Sequence, residues 1–279
     1  MKRWSWLNLA LIVAVSALAL FAYYKPVKTE AELKLSAIKA ADANVIKVEI
    51  AGNPPFALAR SGADWKLITP LPTRADGVQV QRLLEILDAT AKDRFPAAGL
   101  ARYDLNEPPV KVTINQQSFG FGAINQMSRE QYVLTQDGIY PVSLRYGTLV
   151  PKSFYGVVSR QLFAADEAPV AFRFADFAVE QRDGKWQLTP PADLGADDVT
   201  RWVDQWRLAS AMGVLPASNR KPLAVIKVKL KNGADIALNV LQREPQLIVT
   251  RSDQPFEYQL TADAAKYLLA PPAVEPAKK

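Results

Sequence analysis

The hydrophobic pattern changes along the chain from one unbroken apolar run to short alternating segments. Residues 7–24 are nearly all apolar. At about 1.5 Å per residue they would extend roughly 27 Å, close to the thickness of the hydrocarbon core of a bilayer. From residue 45 onward, apolar and polar positions alternate as in half-buried strands, for example in Val45-Ile46-Lys47-Val48-Glu49-Ile50. The pattern therefore predicts a transmembrane helix followed by a strand-rich body.

The residues around the apolar run predict how it would be oriented. Trp and Tyr residues lie at its two ends, and Lys2 and Arg3 favour a cytoplasmic amino terminus. We therefore predict a single-pass inner-membrane protein, with residues 1–6 in the cytoplasm, residues 7–24 in the lipid bilayer and the body in the periplasm. Residues 17–19 also have the small-x-small form of a signal-peptide cleavage site. Cleavage there would equally place the body outside the cytoplasm.

The strand-rich body contains the same pattern twice. Each copy has a Trp on a short strand, then a Pro that ends the strand, then an Asp before a helix. With the same spacing in all three cases, the pairs are Trp65 and Trp186, Pro70 and Pro191, and Asp76 and Asp197. Packing explains the Trp, the missing N–H of proline explains the strand end, and helix capping explains the Asp. We interpret this repeat signature as structural.

Each repeat then continues into an apolar stripe at helical spacing. The two stripes are Val80, Leu83, Leu84 and Leu87, and Val199, Trp202, Val203 and Trp206. Three short strands precede each stripe and three or four follow it. The class is therefore α+β, with two related units of mainly antiparallel sheet and one main helix each, at residues 44–163 and 164–269. Residues 25–43 are predicted as a juxtamembrane spacer with helical character, and 270–279 as a disordered Pro-rich tail.

Composition excludes several kinds of chemistry. The chain has no Cys and no His, which removes disulfides, thiolate sites, Ser-His-Asp triads and the commonest zinc ligand. The net charge of +6 comes from six basic residues that flank the apolar run or end the chain, so the body is neutral. A nucleic-acid surface needs a clustered basic excess. We therefore predict no nucleic-acid partner, no catalytic residue, no cofactor and no metal.

Two groups of residues are candidates for an interaction surface. Lys227, Lys229 and Lys231 alternate with apolar residues, so that one strand face would carry three ammonium groups. Trp202 and Trp206 are residues of the kind that anchor interfaces, although their helical spacing also fits a core. A solvated strand face or a protected edge strand is the alternative reading of the lysines. Gly120-Phe121-Gly122 could indicate a phosphate-binding turn, but no helix is expected after it, so we predict a strand-edge or bulge position.

The repeat signature, together with Ala75-Asp76, Phe119-Gly120-Phe121-Gly122 and Gln131-Tyr132-Val133-Leu134, resembles the bacterial domain-of-unknown-function family DUF4340. The resemblance implies a membrane-anchored envelope protein, since some members are associated with ABC-type transport or gliding-motility components. It implies no catalytic residues. We therefore expect a non-catalytic interaction or accessory module for an ABC-type transporter or another envelope complex. The alternatives are a carboxylate-dependent, glycan-active enzyme and a small-ligand-binding module that uses the cleft between the two units.

Overall fold

The computed structural model describes residues 2–24 and 32–273. It begins with helix α1 (Lys2–Tyr24), which contains the predicted anchor. Within the described ranges, no helix meets the combined requirement of length and hydropathy for a membrane span. Part of the predicted spacer, 25–31, and part of the predicted tail, 274–279, lie outside these ranges.

The first unit is an eight-stranded antiparallel sheet with a two-stranded ribbon. Its strands are β1 (Leu33–Lys34), β2 (Val45–Ile50), β3 (Phe56–Ser61), β4 (Asp64–Thr69), β5 (Thr73–Arg74), β6 (Thr90–Ala91), β7 (Val110–Ile114), β8 (Gln117–Asn125), β9 (Glu130–Thr135) and β10 (Gly138–Ser143). The sheet order is β10-β9-β8-β7-β2-β3-β4-β5, and β1 pairs with β6. Helix α2 (Gly77–Leu84) lies between β5 and β6 in the chain, and α3 (Arg145–Thr148) follows β10.

The second unit is another eight-stranded antiparallel sheet. Its strands are β11 (Pro169–Arg173), β12 (Ala178–Arg182), β13 (Lys185–Thr189), β14 (Gly213–Pro216), β15 (Ala224–Leu230), β16 (Asp235–Gln242), β17 (Leu247–Arg251) and β18 (Phe256–Leu260). Their order is β13-β12-β11-β15-β16-β17-β18-β14. Helix α4 (Ala196–Arg207) lies between β13 and β14 in the chain, and α5 (Ala262–Leu268) follows β18.

Seven strands occupy equivalent places in the two sheets. The first sheet read from β4 is β4-β3-β2-β7-β8-β9-β10, and the second read from β13 is β13-β12-β11-β15-β16-β17-β18. In both units three of these strands precede the main helix and four follow it. The eighth strand differs, because β5 lies beside β4 whereas β14 lies beside β18 at the opposite edge. The predicted α+β class with two related antiparallel units is confirmed.

The strand register corrects one pair of the repeat signature. Strand β4 contains one extra residue, Ile68, where its pairing with β3 shifts. Strand β13 pairs with β12 without such a shift. Pro70 is therefore equivalent to Pro190, and both follow a Thr through a cis peptide bond. The prediction that pairs Pro70 with Pro191 is wrong by one residue, because a β-bulge lengthens one copy of the strand.

The two main helices begin in different ways. Asp76 caps α2 as predicted, and its carboxylate accepts the N–H groups of Val78 at 3.0 Å and Gln79 at 3.3 Å. Helix α4 instead has Gly195 at its N-cap, and the Asp198 carboxylate accepts the Gly195 N–H at 3.1 Å. The capping role predicted for Asp197 is wrong, because α4 begins at Ala196 and this leaves Asp197 within the first turn.

The described part of the predicted spacer belongs to the first unit. Strand β1 pairs with β6, and Leu35 and Ala43 are 2% and 0% exposed. The expected helical character is limited to the 3-10 turn Ala40–Asp42. Residues 32–43 are therefore attached to the first unit, through the pairing of β1 with β6 and the burial of Leu35 and Ala43.

One hydrophobic core runs through both units. Every residue of the two predicted stripes is at most 4% exposed. Helix α2 ends at Leu84, and Leu87 reaches the core from the 3-10 turn Glu85–Asp88 that follows. Helix periodicity therefore identified the buried residues correctly, although the first helix is shorter than its stripe.

The connection between the units, residues 157–163, is hydrogen-bonded to both of them. We call it the strap. Its backbone bonds, 2.8–3.2 Å long, join Val157 to Asp76, Ser159 to Arg74, Arg160 to Ala211 and Leu162 to Ala209. Its apolar side chains at positions 157, 158, 162 and 163 are at most 2% exposed. The strap therefore holds the two units together through backbone bonds and buried apolar contacts.

Candidate functional site

The two tryptophans predicted as candidate surface residues lie in the interior. Trp202 is 4% exposed and Trp206 is 0% exposed. Their rings lie 5.4 and 5.5 Å from that of Phe172. The Trp202 indole N–H donates to Ala270 O at 2.9 Å, whereas the Trp206 indole N–H has no partner among the described residues. Both are core residues, so assigning them to an interaction surface is wrong, because the α4 stripe faces its own sheet.

The predicted row of lysines lies on the outer face of the second sheet. Lys227 and Lys229 alternate with the buried Ile226 and Val228, and Lys231 directly follows β15. Strand β15 lies between β11 and β16, so the alternative of a protected edge strand is wrong, whereas the exposure of the lysines fits the alternative of a solvated face. Within the described residues, none of the three lysine ammonium groups has an ion-pair or hydrogen-bond partner. Their ammonium groups are therefore available to an external anion.

The lysine row borders a shallow depression of about 440 Å³. Lys227 lies between Arg173 of β11 and Ala237 of β16, and Lys229 lies opposite Ala171. The side chains between the basic ones are therefore small, although Ala171 itself is only 6% exposed. We call this surface the basic face, and its residues are Arg173, Lys227, Lys229, Lys231, Ala171 and Ala237.

The equivalent face of the first sheet is partly covered by the chain itself. Tyr103 and Leu105, from the connection before β7, pack with Ile139 in a second small apolar cluster. Glycines of β8 permit this approach, because a Cβ atom on Gly122 would lie 2.2 Å from the Tyr103 carbonyl oxygen. The register of β8 against β9 shifts after Phe121, which confirms the predicted bulge.

The second sheet has a polar contact at the position where the first sheet has the apolar cluster of Ile139. The strand registers make Glu257 of β18 equivalent to Ile139 of β10. Glu257 is 3% exposed, and its carboxylate accepts the Ser218 N–H at 3.0 Å and Arg220 Nη2 at 2.6 Å. Burial by itself would raise the pKa of Glu257, but the hydrogen bonds from Ser218 and Arg220 hold it below its ordinary value. Residues 217–223, which connect β14 to β15, are thereby tied to β18 through Ser218 and Arg220.

Replacing Gly122 by Ala is expected to lower the free energy of unfolding by about 1–3 kcal/mol, because the added methyl group overlaps Tyr103 and Leu105. Thermal unfolding of the full chain measures this change. Gly77→Ala at the first position of α2 is the matched control, since nothing lies within 4 Å of its Cβ position. Equal melting temperatures for the two variants would show that Tyr103 and Leu105 do not pack closely on Gly122.

A buried ion network, which sequence reasoning missed, lies where the strap meets the second sheet. The Arg251 side chain is 0% exposed. Its guanidinium donates to Glu167 at 2.7 and 2.8 Å, to Asp253 at 2.8 and 3.0 Å, and to Leu162 O of the strap. Arg251 occupies an inward position of β17 together with the buried Val249. A charged residue at an inward position of an apolar strand is the sequence signal for such a network.

The carboxylates of this network are held in their ionised forms. Burial by itself would raise the pKa values of Glu167 and Asp253, but hydrogen bonds from Arg251 bring both below their ordinary values. A glycosidase acid needs a raised pKa so that it remains protonated near neutral pH. This pair therefore acts in structure, by fixing the strap, rather than as the proton donor of the glycan-active alternative.

A second depression, of about 510 Å³, lies between the units. Its charged lining residues are Asp64, Lys66 and Arg74 from the first unit and Asp166 from the loop after the strap. Arg74 is already engaged, since its Nη2 donates to Gln161 O at 3.1 Å. The lining therefore carries both signs of charge.

The family model of DUF4340, a domain of unknown function, matches residues 65–206. The match begins on β4 of the first unit, includes the strap and ends on α4 of the second unit. No curated protein and no solved structure matches the chain.

Proposed function

Since the chain belongs to the DUF4340 family, a domain of unknown function, we propose that it is an accessory protein of the cell envelope. In this proposal α1 anchors it in the inner membrane as a single-pass protein, with its amino terminus in the cytoplasm. The two units form an interaction module outside the cytoplasm, for an ABC-type transporter or another envelope complex. The module supplies a binding surface rather than catalytic groups.

Properties of α1 support the anchor. The helix is continuous for 23 residues, which corresponds to about 35 Å at 1.5 Å per residue. No charged residue occurs between Arg3 and Lys25. Apolar side chains along the helix are exposed, for example Leu11 at 64% and Leu18 at 67%. Lipid contact would remove this apolar surface from water, and the basic residues before it favour a cytoplasmic amino terminus.

The observation that carries the proposal is the shared core of the two units. Strap hydrogen bonds reach both units, and Arg251 adds a buried ion network at the same junction. Two sheets held in this way form one scaffold, which can present its surfaces in a constant geometry. The unpaired lysines of the basic face supply a surface of defined charge on that scaffold.

The absence of Cys from the chain allows a direct test of membrane orientation. Met127 is 96% exposed in the first unit, so Met127→Cys provides a site for a membrane-impermeant maleimide. We expect Met127→Cys to be labelled in intact bacterial cells, and Lys2→Cys to be labelled only after permeabilisation. The protein should also remain in the membrane fraction after alkaline carbonate extraction. The opposite labelling pattern, or release by carbonate, would refute the proposed anchor.

A further inference from the structure

We propose that the basic face binds an extended acidic segment of a partner protein, with carboxylates at alternate residues. This inference rests on the proposed function as an interaction module and names the chemistry of its partner. It starts from the absence of anionic partners for Lys227, Lys229 and Lys231 within the described residues. The equivalent face of the first sheet has an ion-paired group instead, in which Glu49 pairs with Lys47 at 2.8 Å and with Lys111 at 3.9 Å.

The geometry of the row matches an extended chain. A strand rises about 3.3 Å per residue, so lysines at alternate positions stand roughly 6.6 Å apart along β15. Side chains at alternate positions of an extended partner segment have the same spacing. Ala171 and Ala237 flank the row with side chains of one carbon, which allows the backbone of such a segment to approach the sheet. The depression of about 440 Å³ runs along these positions.

The charges around the row favour a protein segment over a lipid surface. Asp235 lies opposite Lys229, and Glu180 is ion-paired with Arg173 at 2.6 Å. A continuous anionic surface would bring negative charge against both carboxylates, whereas a segment with neutral residues between its acidic ones avoids them. Polybasic segments are attracted mainly to the cytoplasmic leaflet, which is rich in anionic lipids. The proposed orientation places the basic face on the other side of the membrane.

The test uses the full chain in detergent solution and two fluorescently labelled peptides of the same composition. One peptide alternates four Glu with four Thr, and the other carries four consecutive Glu followed by four Thr. We expect fluorescence anisotropy to show tighter binding of the alternating peptide. The double variant Lys227→Glu/Lys229→Glu should weaken that binding at least about tenfold, and raising the salt concentration should weaken it in the wild type. The matched control is Lys47→Glu/Lys111→Glu on the first sheet, which makes the same charge change and should leave binding unaltered.

Equal binding of the two peptides, or equal losses in the two double variants, would overturn the inference. Displacement of both peptides to the same extent by phosphatidylglycerol added to the micelles would also overturn it, since it would indicate general attraction to anions. Circular dichroism should show that both double variants remain folded, because all four lysines are exposed. The melting temperature of the control should fall slightly, since it removes the ion pairs of Glu49. Failure of peptide binding leaves the labelling and extraction results intact, so it can be distinguished from failure of the proposed function.

Discussion

Replacement of Arg251 by Met is expected to lower the free energy of unfolding by about 3–5 kcal/mol. The guanidinium is fully buried and donates to two carboxylates and to the carbonyl oxygen of Leu162. Met has a similar length but donates no hydrogen bond. The variant therefore retains Glu167 and Asp253 as negative charges beside each other without the cation that compensates them.

Urea unfolding of the full chain, followed by circular dichroism, measures this change. Arg207→Met is the matched control, because the ion pair of Arg207 with Asp204 at 3.2 Å is about half exposed on both sides. Exposed pairs contribute little, so the control should lie within about 1 kcal/mol of the wild type. A loss in Arg251→Met no larger than that of the control would show that the network does not stabilise the junction.

The network also predicts how this difference depends on pH. The folded-state pKa values of Glu167 and Asp253 lie below their ordinary values of 4.5 and 3.8. Their contribution to stability is therefore fully present above about pH 4.5 and is lost as the pH falls through the folded-state values. In Arg251→Met, protonation of Glu167 and Asp253 stabilises the folded state, because a neutral carboxyl group is buried at lower cost than a charged one. The difference in unfolding free energy between the wild type and Arg251→Met should consequently shrink as the pH falls below 4.

Features that depend on local pattern could be predicted from the sequence. The stripes ending at Leu87 and Trp206 identified core residues, because helix periodicity places one face against a sheet. Alternation in β15 placed Lys227 and Lys229 on one exposed face, because strand side chains alternate between faces. The cap at Asp76 followed from an Asp before an apolar stripe. In each case the evidence lay within a few residues of the feature.

Features that depend on strand register or on distant partners could not be predicted in the same way. The bulge at Ile68 moves the equivalent of Pro70 to Pro190, although an equal spacing points to Pro191. The network of Arg251 joins residues separated by more than 80 positions, and no local pattern pairs them. The covering of the first sheet depends on how the connection before β7 folds back over β8.

Replacement of Trp206 by Ala is expected to lower the free energy of unfolding by about 3–5 kcal/mol, because it opens a cavity in the shared core. Trp206 is 0% exposed and packs against Phe172 and Phe174. Trp206→Phe is the matched control, and its loss should be clearly smaller. It keeps an aromatic ring in the core and removes an indole N–H that has no hydrogen-bond partner among the described residues.

Hydrogen exchange of the full-length Trp206→Ala variant in increasing urea tests most directly whether the two units form one scaffold. Mass spectrometry of peptides from β7 and β8 reports on the first unit, and peptides from β15 and β16 report on the second. A core shared through the strap predicts that both sets lose protection together, at the same lowered urea concentration. Loss of protection in the second unit while the first unit keeps its wild-type midpoint would contradict the single scaffold on which the proposed function rests.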